Sequence, residues 1–168
     1  MGIETERKYL ISLPDPGILL NVPGLRIREI TQTYLEIDNR IHRNVRVRKV
    51  VENGSCSFVF TEKNRISKLS RNENEYEISE EEYEKLLPGA VSSLSKTRYS
   101  FPYEGHVFEI DVYTRARCMK RLKGLAVLEV ELEKEDEDIV FPPFLDVITE
   151  ISGDRNYSNI FLSKKIRK

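Results

Sequence analysis

The chain has 168 residues, a formal net charge of −1 and charged side chains at 33% of its positions. That length suits one domain, residues 1–168, with room for a real core. The balanced charge supplies no overall field to recruit nucleic acid or an anionic membrane. Cys56 and Cys118 match neither a metal spacing nor a disulfide framework. Together with an N-terminus that lacks a signal-peptide profile and the lack of any membrane-length apolar run, they point to a cytoplasmic protein.

In chain order, strand signals dominate. Met1 to Ile11 alternates polar and apolar residues. Leu25 to Asp38 is rich in β-branched and aromatic side chains, and His42 to Val51 interleaves valines with basic residues. Asn53-Gly54 predicts a tight hairpin turn into a return strand over Ser57 to Lys63. Glu73 to Ile78 is a further strand. Ser79, with Glu82 three residues on, predicts a capped helix that runs to about Leu87 and stops before Pro88-Gly89. Strands follow at Ser92 to Tyr103, His106 to Tyr113 and Leu125 to Lys134, the first two joined at Glu104-Gly105. Pro14 to Pro23 and Phe141-Pro142-Pro143 read as turns. The tail from Tyr157 to Ile166 reads as an amphipathic helix with Ile160, Phe161 and Ile166 inward, and Lys164, Lys165, Arg167 and Lys168 as its basic end. About eight strands and few helices, linked by hairpin logic, predict a mainly β fold: an antiparallel barrel or strongly curved sheet flanked by short helices.

The functional signal lies in charges spaced two apart. Glu4, Glu6 and Lys8 fall on one face of the first strand. Taken alone, that triplet also suits a solvated strand. Similar pairs recur, however: Arg46 and Arg48, Thr61 and Lys63, Glu75 and Glu77, Lys96 and Arg98, Glu109 and Asp111, Glu129 and Glu131. They are sign-pure, and their alternate faces are mostly apolar. An ordinary half-exposed sheet gives polar-out and apolar-in, but its polar face mixes residue types loosely. If these strands close with the charged face inward, carboxylates gather in one region and Arg/Lys in another. Burying so many charges is prohibitive unless the interior is wet and takes in balancing ligands. A polyphosphate with divalent cations meets that need, since phosphate oxygens match Arg forks and hard cations match clustered carboxylates.

These motifs, in this order, resemble the CYTH superfamily, also called the triphosphate tunnel metalloenzymes, over nearly the whole chain. The run from Glu150 to Asp154 and the Tyr157-Ser158-Asn159 triplet are similar to the family's C-terminal signature. Many bacterial members carry a basic residue where this chain has Asn156, which leaves Arg155 as its possible replacement. The resemblance implies an eight-stranded antiparallel tunnel with a charged interior. It also implies hydrolysis of inorganic tripolyphosphate or a nucleoside triphosphate with Mg²⁺ or Mn²⁺. Carried over by motif, Glu4, Glu6, Glu129 and Glu131 would hold metal, with Asp111 joining directly or through water. Lys8, Arg46, Arg48, Lys63, Lys96, Arg98 and Arg155 would bind substrate, with Glu75 and Glu77 in support. Lys8, Glu6 and Arg48 are the expected catalytic set. A class IV-type adenylyl cyclase, a thiamine triphosphatase and a non-catalytic polyphosphate-binding module are the competing readings. The expected partner is a small-molecule triphosphate, with no nucleic acid or membrane, and a homodimer is the default assembly.

His42 and His106 are too few and too scattered for a zinc or catalytic cluster. Arg115, Arg117, Lys120, Arg121 and Lys123 fall in a loop, read as solvated or as a guide for anionic substrate. No P-loop motif occurs.

Overall fold

The computed structural model describes residues 2–37 and 40–167. In chain order the elements are β1 (Gly2–Ser12), α1 (Pro16–Leu19), β2 (Arg26–Ile37), β3 (Arg40–Glu52), β4 (Ser55–Arg65) and β5 (Ser70–Ile78). There follow α2 (Glu80–Leu86), β6 (Ala90–Tyr103), β7 (His106–Arg115), β8 (Leu125–Glu131), β9 (Val147–Glu150), α3 (Asn159–Leu162) and β10 (Lys164–Lys165). Strands β1 to β8 close into an antiparallel ring in the order β6-β2-β3-β4-β5-β1-β8-β7, with β7 returning to β6. Closure gives every strand of the ring a neighbour on each side, while short end segments of β1 and β6 stay open to further pairing. Among the described residues, no helix is long and apolar enough to cross a membrane.

Local chemistry explains the turns. Asn53 and Gly54 have φ of 50° and 77°, and Glu104 and Gly105 have 45° and 79°. Two consecutive positive φ values are what a right-twisted two-residue hairpin demands. At α2 the capping box forms in full: Ser79 Oγ accepts from the Glu82 N–H, and the Glu82 carboxylate accepts from the Ser79 N–H.

Period-two alternation sorts the side chains. On the outside, Ile11, Phe108, Ile110, Leu128 and Val130 pack under the segment that carries Phe141 and Phe144. Leu35, Val45, Val47 and Phe58 pack under Tyr83 of α2. The inward face is charged along most of its length but turns apolar at one end. There Leu10, Leu94, Tyr113 and Val127 meet Ile151 and Leu162 of the tail.

The tail departs from the sequence expectation. Tyr157 to Ile166 is not one amphipathic helix: it is a single turn of helix, α3, followed by the short strand β10. Leu162 is buried, whereas Ile166 is 40% exposed. The cause is an unpaired edge. β7 pairs with β6 only from Ser95 onward, so Ser92 and Ser93 are left open and Lys165 and Lys164 pair with them. Strand β9, unforeseen in the sequence, does the same for β1. Strand β5 covers Gly2 to Thr5, and β9 covers Tyr9 to Ile11. The stagger of a closed barrel produces such open edges, and satisfying their N–H and C=O groups outweighs local helix periodicity. Strand β8 also ends at Glu131, short of Lys134.

Candidate active site

The barrel interior holds a cavity of about 300 Å³, within the size range of small-ligand sites. Cross-strand register builds its acidic wall. Glu6 lies opposite Glu131, Lys8 opposite Glu129, and Glu109 opposite Glu129. Three neighbouring strands, β1, β8 and β7, thus place their glutamates side by side. Around the ring, β2 stands across from β1 and β3 across from β8. Arg28 on β2 and Arg46 and Arg48 on β3 therefore face the glutamates across the cavity, and Lys63 on β4 continues this basic wall. The sheet alternates by two, so each doublet delivers both its charges inward.

Ion pairs tie the two walls at their margins. Lys63 Nζ is 2.6 Å from Glu4 and 3.8 Å from Glu73, Arg48 is 2.7 Å from Glu75, and Arg71 is 3.3 Å from Glu6. Lys8 Nζ is 3.4 Å from Glu129. Behind them lies a buried lattice. The Arg98 guanidinium donates Nε to Asp111 Oδ1 at 2.7 Å and a terminal nitrogen to Oδ2 at 2.8 Å, and Lys96 Nζ donates to the same Oδ2 at 2.7 Å. Arg98 also reaches Glu109 at 3.0 Å and Glu129 at 3.3 Å.

The electrostatics separate the carboxylates into two kinds. Burial opposes ionisation of Asp111 and Glu129, but the adjacent Lys and Arg charges outweigh it and hold both below the usual carboxylate range. Glu6 is pushed up to about 8 by burial and by Glu129. Glu131 is raised by burial and by the neighbouring Glu109, and Glu73 is pushed up to about 7, mainly by burial. On the basic wall, burial and Arg46 bring Arg48 down to about 10. Buried Lys96 falls to about 8 despite Asp111. Among the described residues, the Nε atoms of Arg28, Arg46 and Arg48 are buried with no hydrogen-bond partner. Carboxylates driven towards protonation face guanidinium forks with spare donors. A hard cation suits the first and a multivalent oxyanion the second.

Of the residues singled out in the sequence, Glu4, Glu6, Lys8, Arg46, Arg48, Lys63, Glu75, Lys96, Arg98, Glu109, Glu129 and Glu131 line the cavity. Asp111 stands behind the lining, fully buried, with both oxygens engaged by Lys96 and Arg98. Glu77 and Arg155 are exposed and outside the lining. Glu77 keeps the inward parity but sits at the far end of β5, and Arg155 lies in the turn before α3. His106 pairs with Glu137 at 3.2 Å, away from the cavity, and the side chain of His42 lies outside the described residues. The basic loop holds the tail: Arg117 and Arg121 stack on Phe161 and Tyr157 at 4.9 Å and 4.7 Å.

The cavity also recruits Arg28, Gln32, Tyr34, Arg71, Glu73 and residues 158–160. Running the two-residue period back from Glu75 gives Glu73 and Arg71, so that signal was present in the sequence. Gln32 and Tyr34 carry no charge and gave none.

Among the described residues, no three Asp, Glu, His or Cys side chains converge into a ready metal cage. Glu4 and Glu6 instead turn towards Lys63 and Arg71.

The CYTH domain matches residues 2–152. The chain belongs to the CYTH family. Among CYTH relatives, an inorganic triphosphatase of Acetivibrio thermocellus is 31% identical over 166 residues, 98% of this chain and 95% of that protein. The solved structure of the inorganic triphosphatase NE1496 is 25% identical, with a TM-score of 0.55 over 96% of this chain and 94% of that one. The PH1819 protein of Pyrococcus horikoshii shares the fold, at 21% identity and a TM-score of 0.57 over 79% of this chain and 80% of its own.

Proposed function

We propose that this CYTH protein hydrolyses a triphosphate, inorganic tripolyphosphate foremost, within its barrel with Mg²⁺ or Mn²⁺. The observation that carries this reading is the pairing of two unmet needs in one cavity: buried arginine forks with spare donors and glutamates that burial drives towards protonation. Glu4, Glu6, Glu129 and Glu131 would hold the metal. The bound ion would neutralise phosphate charge and lower the pKa of a bound water. Arg28, Arg46, Arg48 and Lys63 receive the phosphate oxygens and hold the chain in line for attack, and this positioning with charge neutralisation supplies most of the rate in phosphoryl transfer. Lys8, Arg98 and Lys96 keep Glu129 ionised through their charge. Asp111 fixes those two cations in place. Lys8, beside Glu129 and Glu6, clamps phosphate from the acidic side.

Phosphate release from tripolyphosphate, ATP, GTP and thiamine triphosphate, each with Mg²⁺ and with Mn²⁺, tests the reading. Tripolyphosphate should be the best substrate. Cyclic AMP and pyrophosphate from ATP would make it a cyclase, and binding of tripolyphosphate without turnover would make it a binding module.

Arg48→Ala removes a charged donor pair from the phosphate grip. KM for tripolyphosphate should rise about 10- to 100-fold, with a smaller fall in kcat. Steady-state kinetics at fixed metal check this, and an unchanged KM would take Arg48 out of the grip.

A further inference from the structure

At the end of the cavity nearest the apolar plug, uncharged side chains join the lining, with Arg46 and Lys96 the nearest charges. Tyr34, Ser158, Asn159 and Ile160 line it there. The neighbouring inward residues are Leu94, Tyr113 and Val127, packed on Leu162. Charged groups are costly beside such a surface, and neutral donors are cheaper.

Hydrogen-bond accounting shows what these neutral groups have left to offer. Tyr34 is 5% exposed. Its hydroxyl oxygen accepts from Gln32 Nε2 at 2.8 Å. Arg46 is its cross-strand partner. An amide nitrogen can only donate, so the Tyr34 oxygen is the acceptor in the bond from Gln32 and its own O–H points elsewhere. Among the described residues that hydrogen has no acceptor. Asn159, also in the lining, repeats the logic. Its Oδ1 accepts from the Tyr113 hydroxyl at 2.5 Å, which leaves its Nδ2 donors without a hydrogen-bond partner among the described residues. Ser158 is already committed: its Oγ donates to the Arg155 carbonyl and accepts from the Phe161 N–H. Ile160 offers only apolar surface.

We infer that Tyr34 and Asn159 form a neutral phosphate-binding subsite at the plugged end of the cavity. Each presents one donor to a non-bridging oxygen of a terminal phosphoryl group. Gln32 and Tyr113 are positioning residues, which fill the acceptor sides of that pair so that only donors face the ligand. The inference rests on the triphosphatase reading and names one end of its substrate site.

Tyr34→Phe removes the donor and keeps the ring. KM for tripolyphosphate should rise about 5- to 20-fold, with kcat within about threefold of wild type. Asn159→Asp keeps the acceptor for Tyr113 but replaces the donors with a carboxylate, and its KM should rise further. Circular-dichroism melting of both variants verifies the fold. Ionic strength separates a lost neutral donor from a displaced arginine. The wild-type salt dependence of KM should persist in Tyr34→Phe, because the charged contacts that salt screens are intact. A flattened salt dependence would assign the effect to Arg46 and overturn the subsite. So would a Tyr34→Phe KM within twofold of wild type. If wild type turns over no triphosphate, the function reading fails, while calorimetric binding of tripolyphosphate to wild type and Tyr34→Phe still decides the subsite: equal affinities overturn it, and a 5- to 20-fold loss supports it.

Discussion

Glu6→Gln should cut metal-dependent phosphate release by about 10²- to 10³-fold, the scale of losing one element of charge stabilisation, while making the metal-free protein more stable. Both effects have one source. The Glu6 carboxyl is buried beside Glu129, and its pKa rises from 4.5 to about 8. Between those values the folded protein holds a proton that the unfolded chain has released. Stability of the metal-free protein therefore falls as pH climbs from about 4.5 to 8. Glutamine cannot ionise, so the variant should lack that part of the fall, a gain of about 4–5 kcal/mol at pH 8.5. Denaturant melts of both proteins between pH 5 and 9 measure it. A cation reverses the sign, because it favours the ionised carboxylate. Adding Mn²⁺ to wild type at pH 7 should release protons, read by calorimetry in two buffers of different ionisation enthalpy, and Glu6→Gln should release fewer. Undiminished turnover in Glu6→Gln would sink the metal assignment.

Asp111→Asn should lower the melting temperature of the metal-free protein by roughly 10 °C, from a loss of about 3–5 kcal/mol. Asp111 is fully buried and binds both Lys96 and Arg98. Neutralising it leaves two buried cations short of a counter-charge, and breaking a buried pair costs more than the pair contributes net. Lys96, already down to about 8, should deprotonate more readily, while Arg98 keeps Glu109 and Glu129 as partners. A direct metal ligand behaves differently: its loss lowers metal affinity without destabilising the metal-free protein. Thermal melts with and without Mn²⁺ therefore discriminate the two roles. An unchanged metal-free melt, with weakened stabilisation by Mn²⁺, would return Asp111 to the metal shell.

The eight barrel strands, their faces and most of the charged lining are legible in the amino-acid order alone. Period-two alternation is a local property, so Glu4, Glu6 and Lys8 share a face whatever the rest of the chain does. The hairpin turns at Asn53-Gly54 and Glu104-Gly105 and the Ser79 capping box are equally local. What the tertiary structure decided is everything that depends on closure. Ring order alone sets Arg46 and Arg48 across from Glu129 and Glu131. It draws Asp111 behind the lining and leaves Glu77 outside it. The stagger of the barrel turned the tail from an expected helix into a turn, a plug and a two-residue strand. The donor roles of Tyr34 and of Asn159, the latter marked in the sequence only as part of a C-terminal signature, were not legible there for a related reason. Charge marks itself in a sequence, but a hydroxyl or amide becomes a ligand-facing donor only once its other hydrogen-bonding side has been filled, here by Gln32 and Tyr113. Gln32 is a local neighbour of Tyr34 on β2, but Tyr113 meets Asn159 only because the tail packs against the closed barrel.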